Sequence, residues 1–236
     1  PITLGLTLSK IFSKLLEKRL QVTMNAQQPI EQAGFRKTFS TIDHLHSINQ
    51  IIEKCTEYQQ ELFAALVDYT KAFDSLDHNF IFKTLSNQGV PECYIRIIRE
   101  MYNNLKGRIV TEVEGEYFDI KRGVRQGDPL SSILFNGALE EIIGKLGWED
   151  KGININGERL SNLRFADDVL LLAKSESELK QMIDELQANP SKLKINGKKT
   201  KIITNKKSME NVRTRTATIE IVDEANYLGQ KLSFEE

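Results

Sequence analysis

Two cysteines and three histidines in 236 residues leave little room for thiol, zinc or imidazole chemistry. Cys55 and Cys93 stand in helix-like surroundings without metal-ligand spacing. They fit a reducing compartment better than a structural disulfide. His44 and His46 are two apart on a helical stretch and point in different directions, and His78 flanks another helix. No serine, histidine and acid set stands out. Nor is there an apolar run long enough to cross a bilayer. The opening "PITLGLTLSKIF" lacks the basic start and small-residue cleavage site of a secretory signal, and its missing Met suggests a piece of something longer. The net charge of −1 does not advertise a nucleic-acid binder.

What is present is an ordinary globular composition, 40% hydrophobic and 28% charged. A chain of this length makes one large domain or two small ones and can bury a core without covalent staples. No repeat or low-complexity segment interrupts it. Charge is unevenly placed: nine basic residues against the single acid Glu210 lie between Lys192 and Arg215. That stretch is either a solvated loop or a stripe that tracks phosphates.

Helical spacing marks Leu8, Ile11, Phe12, Leu15, Leu16 and Leu20, then Ile42, Leu45, Ile48, Ile52 and Cys55 behind a Ser40 or Thr41 cap. "LFAALVDY" is an apolar strand ending in Asp68. "HNFIFKTLSNQG" is a short helix stopped by Gly89, and Pro91 starts another with Tyr94, Ile97, Ile98 and Met101 on one face. "RIVTEVEGEYFDI" reads as a hairpin turning at Glu114–Gly115, and Asn156–Gly157 marks a second turn. Pro129 opens a helix. "LRFADDVLLLA" is strand, tight turn, strand, followed by a helix whose inner face is Leu179, Met182, Ile183 and Leu186 behind a Ser175–Glu178 capping box. "KIITN", "ATIEIV" and "NYLGQKL" read as short closing strands. Helices and hairpins intermix, which makes an α+β protein.

The adjacent pair Asp167–Asp168 sits in the middle of an apolar hairpin. Neighbouring carboxylates repel, and poor hydration would force one to take up a proton unless a cation intervenes. An Asp–Asp turn facing water is the plainer reading. Asp68 supplies a third carboxylate if its strand lies beside that hairpin, and hard Mg²⁺ is held by such oxygens together with substrate phosphates. Asp74 and Asp77 read better as caps and surface charge. In "RGVRQGDPLSSILFN", Gly123 and Gly127 let backbone approach closely, while Asp128 and Pro129 form a cap and first helical residue. Arg125 and Gln126 are left over as candidates for touching a nucleotide.

"VDYTKAFDSLDH", "GVRQGDPLSSILF" and "FADD", in that order, resemble the reverse transcriptase domain of non-LTR retrotransposons. "EQAGFRKTFSTIDHL", "NGKKTKIITN" and "NYLGQKL" extend the likeness over nearly the whole chain. "GFRKTFSTIDHLHSINQIIEKC" and "WEDKGININGERLSNLRFADD" look closest to RTE-like, LINE-type elements. The resemblance implies a right-hand polymerase fold: fingers over residues 1–60, palm over 61–236 with a ferredoxin-like antiparallel sheet, a fingers-like insertion near 80–122, and no thumb. It implies two Mg²⁺ ions, with Mn²⁺ a possible substitute, held by Asp68 and Asp167, with Asp168 accessory and the Tyr69 carbonyl completing a shell. The implied reaction transfers a nucleotide from dNTP to a primer 3′-hydroxyl on an RNA template. In it Phe73 excludes a 2′-hydroxyl, Gln126 and Gly127 contact nucleotide and template, Arg36 reaches phosphates from the fingers, and Lys199 protonates pyrophosphate. For these residues the plainer readings are a core aromatic at Phe73, a surface salt bridge at Arg36 and a basic loop at Lys199. The expected partners are template RNA, DNA primer and dNTPs, with endonuclease and thumb elsewhere in a parent polyprotein. The expected setting is intracellular, nuclear or cytoplasmic, away from membranes.

Departures from the family pattern favour an alternative. The arginine before "PI" is absent, Ser132 replaces a proline, and Thr38 stands where glycine is usual. The chain before Lys199 looks about two residues short and contains Asn189–Pro190. A degenerate copy that binds nucleic acid without catalysis is the second reading. Another palm enzyme, an RNA polymerase or nucleotide cyclase, is the third, and Phe73 and "RQGDPLS" speak against it.

Overall fold

Capping and stop signals set most helix boundaries. The structure, a computed structural model, describes residues 6–110, 112, 115–207 and 210–234. Helix α1 spans Thr7–Asn25 and α2 spans Thr41–Glu57. Ser40 caps α2 reciprocally: its hydroxyl accepts from the Ile42 N–H, and Asp43 accepts from the Ser40 N–H. Strand β1 (Phe63–Val67) stops one residue before Asp68. The single-turn α3 (Ala72–Ser75) precedes α4 (His78–Asn87), which Asp77 caps by accepting from the Asn79 and Phe80 N–H groups. Beyond Pro91 comes α5 (Glu92–Tyr102).

The expected hairpin over 108–120 is a short antiparallel ladder of β2 (Lys106–Gly107) and β3 (Phe118–Asp119). Its turn residue Glu114 lies outside the described residues. Helix α6 (Pro129–Ile143) starts behind Asp128, which accepts from the Leu130 N–H. Strands β4 (Ile153–Ile155) and β5 (Glu158–Leu160) flank Asn156–Gly157, both at positive φ as a primed hairpin turn demands. Strands β6 (Asn162–Phe165) and β7 (Asp168–Ala173) form the Asp–Asp hairpin. Helix α7 (Glu176–Gln187) opens at Ser175, whose hydroxyl accepts from the Glu178 N–H, although Glu178 reaches back to the Lys174 N–H rather than to that of Ser175. Strands β8 (Lys201–Thr204), β9 (Val212–Arg213), β10 (Thr218–Ile221), β11 (Glu224–Tyr227) and β12 (Gln230–Ser233) follow.

The chain forms two compact units. One comprises residues 1–28, 71–141 and 190–192. Its helices bury Leu16, Leu20, Met24, Ile81, Leu85, Ile95, Ile98, Leu130 and Phe135. The other comprises 29–70, 142–189 and 193–236 and holds a six-stranded sheet in the order β6-β7-β1-β8-β10-β9. Helix α7 packs on β1 and β7 with Leu179, Met182, Ile183 and Leu186 buried. Ile48, Ile51, Ile52 and Cys55 of α2 cluster with Ala64, Leu170, Leu172 and Ile203. With both faces covered, β7 is apolar from Val169 to Ala173 instead of alternating.

Four expectations change. The sheet is antiparallel from β6 to β8, but β10 runs parallel to β8, with β9 antiparallel to β10 at the edge. "NYLGQKL" is a hairpin, β11 and β12 joined at Leu228–Gly229, both at positive φ. On α1 the buried stripe is Ser13, Leu16, Glu17, Leu20 and Met24, while Leu8, Ile11, Phe12 and Leu15 are exposed. Burial on α5 likewise follows Ile95, Ile98 and Tyr102 rather than the expected face. Both cysteines are free thiols, Cys55 buried and Cys93 exposed.

Thr38, the residue found in place of glycine, has φ 73°. A β-branched side chain there crowds its own backbone, at a cost of about 1–2 kcal/mol that glycine escapes. Glycine's larger unfolded-state entropy returns about 0.5–1 kcal/mol of that. Thr38→Gly is therefore expected to raise stability by roughly 0.5–1 kcal/mol, seen as a higher urea midpoint. A midpoint at or below the parent's would contradict the strain at this position.

Candidate active site

Register is what gathers the carboxylates. Strand β1 pairs with β7 so that Val67 faces Val169, and Asp68 and Asp168 are the next residues of the two strands beyond that last pair. On the other side of β7, Phe165 pairs with Asp168, which leaves Ala166–Asp167 as a two-residue turn with Ala166 at φ 58°. Asp68 and Asp167 are half-buried and Asp168 is exposed. All three belong to the sheet-bearing unit.

The chain after α7 clamps Asp68 from its third side. The Asp68 N–H donates to the buried Thr200 hydroxyl at 3.1 Å, and the Asp68 carbonyl accepts from the Asn196 N–H at 2.7 Å. Residues 196–200 close as a turn, with the Lys199 and Thr200 N–H groups both donating to the Asn196 carbonyl. Lys199 is thus an exposed side chain on a loop fastened at both ends to the Asp68 backbone. Tyr69 bridges Ile195, and its ring is buried.

Arg36, in the same unit, donates from Nη1 to the Pro29 and Gln32 carbonyls at 2.6 and 2.8 Å, and its guanidinium lies 4.2 Å above the Phe39 ring. It is bonded to backbone rather than to an acid. Of the nine basic residues from Lys192 to Arg215, several are ion-paired: Lys192 with Asp77, Lys201 with Glu220, Lys206 with Glu61 and Arg215 with Asp184. His44 is buried with its pKa lowered by that burial, and its Nδ1 lies 3.5 Å from the Tyr227 hydroxyl, which makes it a core residue.

Phe73, Gln126 and Gly127 belong to the other unit. The half-buried Phe73 ring stacks on Phe135 with centroids 4.6 Å apart. Arg125 donates to the Met101 carbonyl and lies near Asp128, while Gln126 is half-exposed. At Gly123 (φ 87°) the close approach is made by the chain itself, since a Cβ would meet the Asp74 backbone at 2.7 Å. Asp77 is a helix cap paired with Lys192, as its plainer reading has it.

Burial pushes the Asp167 carboxyl above the usual range and the charge of Asp68 adds to this, against a lowering hydrogen bond from its own backbone. The Asp168 carboxyl, on a residue whose surface is largely exposed, is raised by reduced hydration close to the sheet, then by Asp167 and by Asp68. Among the described residues no three acids, histidines or cysteines stand close enough to cage a metal by themselves. Two crowded carboxylates with further oxygens supplied by substrate phosphates nevertheless suit Mg²⁺, which seldom uses an all-protein cage. The donor set is all oxygen, and the like-charge repulsion within it is what a divalent cation relieves.

Thr200 and Gln32 lie within the family-like stretches "NGKKTKIITN" and "EQAGFRKTFSTIDHL", but nothing in the sequence singles either of them out. Thr200→Val should leave the Asp68 N–H without its acceptor and cost about 1–2 kcal/mol in urea denaturation, with Thr200→Ser close to the parent. Asp167 gives the opposite sign. Its raised folded-state pKa means that the carboxylate destabilises the fold at neutral pH, a penalty lost as pH falls through that pKa. Asp167→Asn is expected to raise the thermal midpoint at pH 7 and to match the parent near pH 3, where both are uncharged. An equal or lower midpoint at pH 7 would contradict the crowding.

The family model of reverse transcriptase (RNA-dependent DNA polymerase) matches residues 1–232. The chain is 28% identical to a Pol polyprotein of the type-1 retrotransposable element R2 from Nasonia vitripennis, over 80% of this chain and 18% of that one. It is 29% identical to the R2DM Pol polyprotein of Drosophila melanogaster, over 78% of this chain and 17% of that one. It therefore spans about a fifth of the length of these relatives. Among solved structures, an apo telomerase from Candida tropicalis superimposes with TM-score 0.68 at 15% identity, over 93% of this chain and 43% of that one. Telomerase from the same organism in complex with a TWJ fragment of telomeric RNA gives 0.66 at 15% identity, over 97% and 36%. At such identity the likeness establishes the fold, the right-hand arrangement of polymerases. The chain belongs to the reverse transcriptase family, as a reverse transcriptase domain of the non-LTR retrotransposon type.

Proposed function

We propose that this chain is the catalytic core of an RNA-templated DNA polymerase, taking dNTPs and extending the 3′-hydroxyl of a DNA primer. The observation that carries the reading is the register that brings Asp68 against the Asp167–Asp168 turn. Residues 29–60 and α1 correspond on this reading to fingers, and the six-stranded sheet to the palm, with a fingers-like insertion near 80–122. The R2 relatives are Pol polyproteins in which the matched region is about a fifth of the length, and they support the reading of this chain as a polymerase domain. The RTE-like wording of two segments is a finer affinity that belongs to the same proposal.

Asp68 and Asp167 would hold two Mg²⁺ ions, or Mn²⁺ in their place, with Asp168 and the Tyr69 carbonyl as accessory oxygens. Bound there, the metal would supply charge neutralisation for the triphosphate and a lowered pKa for the attacking hydroxyl. The primer 3′-oxygen attacks the α-phosphorus, the bond to the β-phosphate oxygen breaks, and pyrophosphate leaves. Asp68 is held by backbone bonds on both of its peptide groups, so its carboxylate needs no reorganisation as charge develops. Lys199, with its loop tied to that same backbone, donates a proton to the departing pyrophosphate. Phe73, its ring braced by Phe135, fills the space that a 2′-hydroxyl would need. Gln126 and Gly127 meet nucleotide and template, and Arg36 reaches phosphate only after giving up carbonyl partners.

The test is extension of a primed RNA template by the purified chain with Mg²⁺ and labelled dNTPs. Extension by the parent is expected, with a loss of at least about 100-fold in Asp167→Ala, the order expected when a transition-state electrostatic group is removed. Phe73→Ala is expected to admit rNTPs that the parent rejects. Tight primer–template binding by a folded parent that adds no nucleotide would favour the non-catalytic copy instead.

A further inference from the structure

The segment "EQAG" does more than connect two helices. Residues 31–33 lie parallel to β6: the Arg164 N–H donates to the Glu31 carbonyl at 2.8 Å, and the Ala33 N–H donates to the Arg164 carbonyl at 2.9 Å. This short ladder delivers the fully buried Gln32 side chain to the turn at the hairpin tip. Gln32 Oε1 accepts from the Ala166 N–H at 3.1 Å and from the Gly34 N–H at 2.9 Å. Ala166 immediately precedes Asp167 and holds φ 58°, a region that alanine rarely adopts unless its surroundings impose it. Gly34 closes the fit, since a Cβ there would lie 2.2 Å from the Ala166 nitrogen.

We infer that Gln32 is a positioning residue for Asp167: it fixes the unusual backbone of Ala166 and so sets the direction in which the next carboxylate leaves the turn. The inference rests on the polymerase reading for what Asp167 does, but the brace itself is independent of it. An amide oxygen suits the task. It is neutral, so it adds no charge beside acids that already repel, and its two lone pairs serve two backbone donors at once. Position 32 lies 135 residues before Asp167, so the tip is fixed by a different part of the chain from the strands that carry it.

The experiment compares the parent chain with Gln32→Met, which keeps length and loses the acceptor, and with Gln32→Glu, which keeps an oxygen for both amides. Amide hydrogen exchange reads the brace, and Mn²⁺ binding followed by electron paramagnetic resonance reads the carboxylates. In Gln32→Met the Gly34 and Ala166 amides should exchange at least about 10-fold faster, with Val169–Leu172 unchanged, and Mn²⁺ affinity should fall about 10-fold. Gln32→Glu, which adds a further charge beside the acids, should recover the amide protection. Primer extension should lose kcat with little change in KM for dNTP. Faster exchange without weaker Mn²⁺ binding would reduce Gln32 to a structural residue and overturn the inference. A parent that binds no Mn²⁺ would overturn the polymerase reading, and the positioning role with it, and is told apart by the parent measurement alone. Global exchange across β7 in Gln32→Met would likewise count against a local brace.

Discussion

The antiparallel register between β1 and β7 is the constraint on which the rest depends. Because Val67 faces Val169, the first residues past the paired segment are acids on both strands. A slip of one residue would turn every β1 side chain to the opposite face, trading Ala64 and its neighbours out of their packing. The hydrophobic layers on the two faces of the sheet therefore hold together a set of carboxylates that repel each other. The core stabilises the chain while its tip is electrostatically unfavourable, a division of labour common at functional sites. Two backbone clamps, one from the turn at 196–200 and one from Gln32, keep that tip from relaxing.

Much of this was legible in the residues, and the reasons are local. Helix α7 was readable to the side chain because its cap, its length and its one-sided burial all agree. The Asp–Asp hairpin was readable because an apolar strand pair with polar residues at a single point leaves few other places for a turn. Helix α1 shows the limit. Its spacing is helical, yet it carries apolar residues around more than half of its circumference, so periodicity locates the helix without choosing the face. The parallel pairing of β10 with β8 was also hidden, since a crossover leaves no mark in either strand.

At the site the same division appears. Charged residues announce themselves by standing where charge is costly, which is why the three aspartates could be named. Residues that act through one hydrogen bond to a distant backbone group have no such signature. Thr200 and Gln32 are ordinary polar residues until the partner 132 or 134 positions away is known. Thr38 lies between these cases: its substitution for glycine could be noticed, but only the observed φ of 73° turns it into strain.

The two thiols differ enough to give the molecule a single chemical handle. Cys55 is sealed in the α2 face of the sheet, where burial raises its pKa and keeps it protonated, whereas Cys93 is exposed near the start of α5. Thiolate is the reacting form, so a maleimide dye at neutral pH meets one accessible sulfur and spares the other. A fluorophore would then sit on the helical unit alone and the sheet-bearing unit would carry none. Without any engineering, the native sequence admits stoichiometric one-colour labelling for anisotropy.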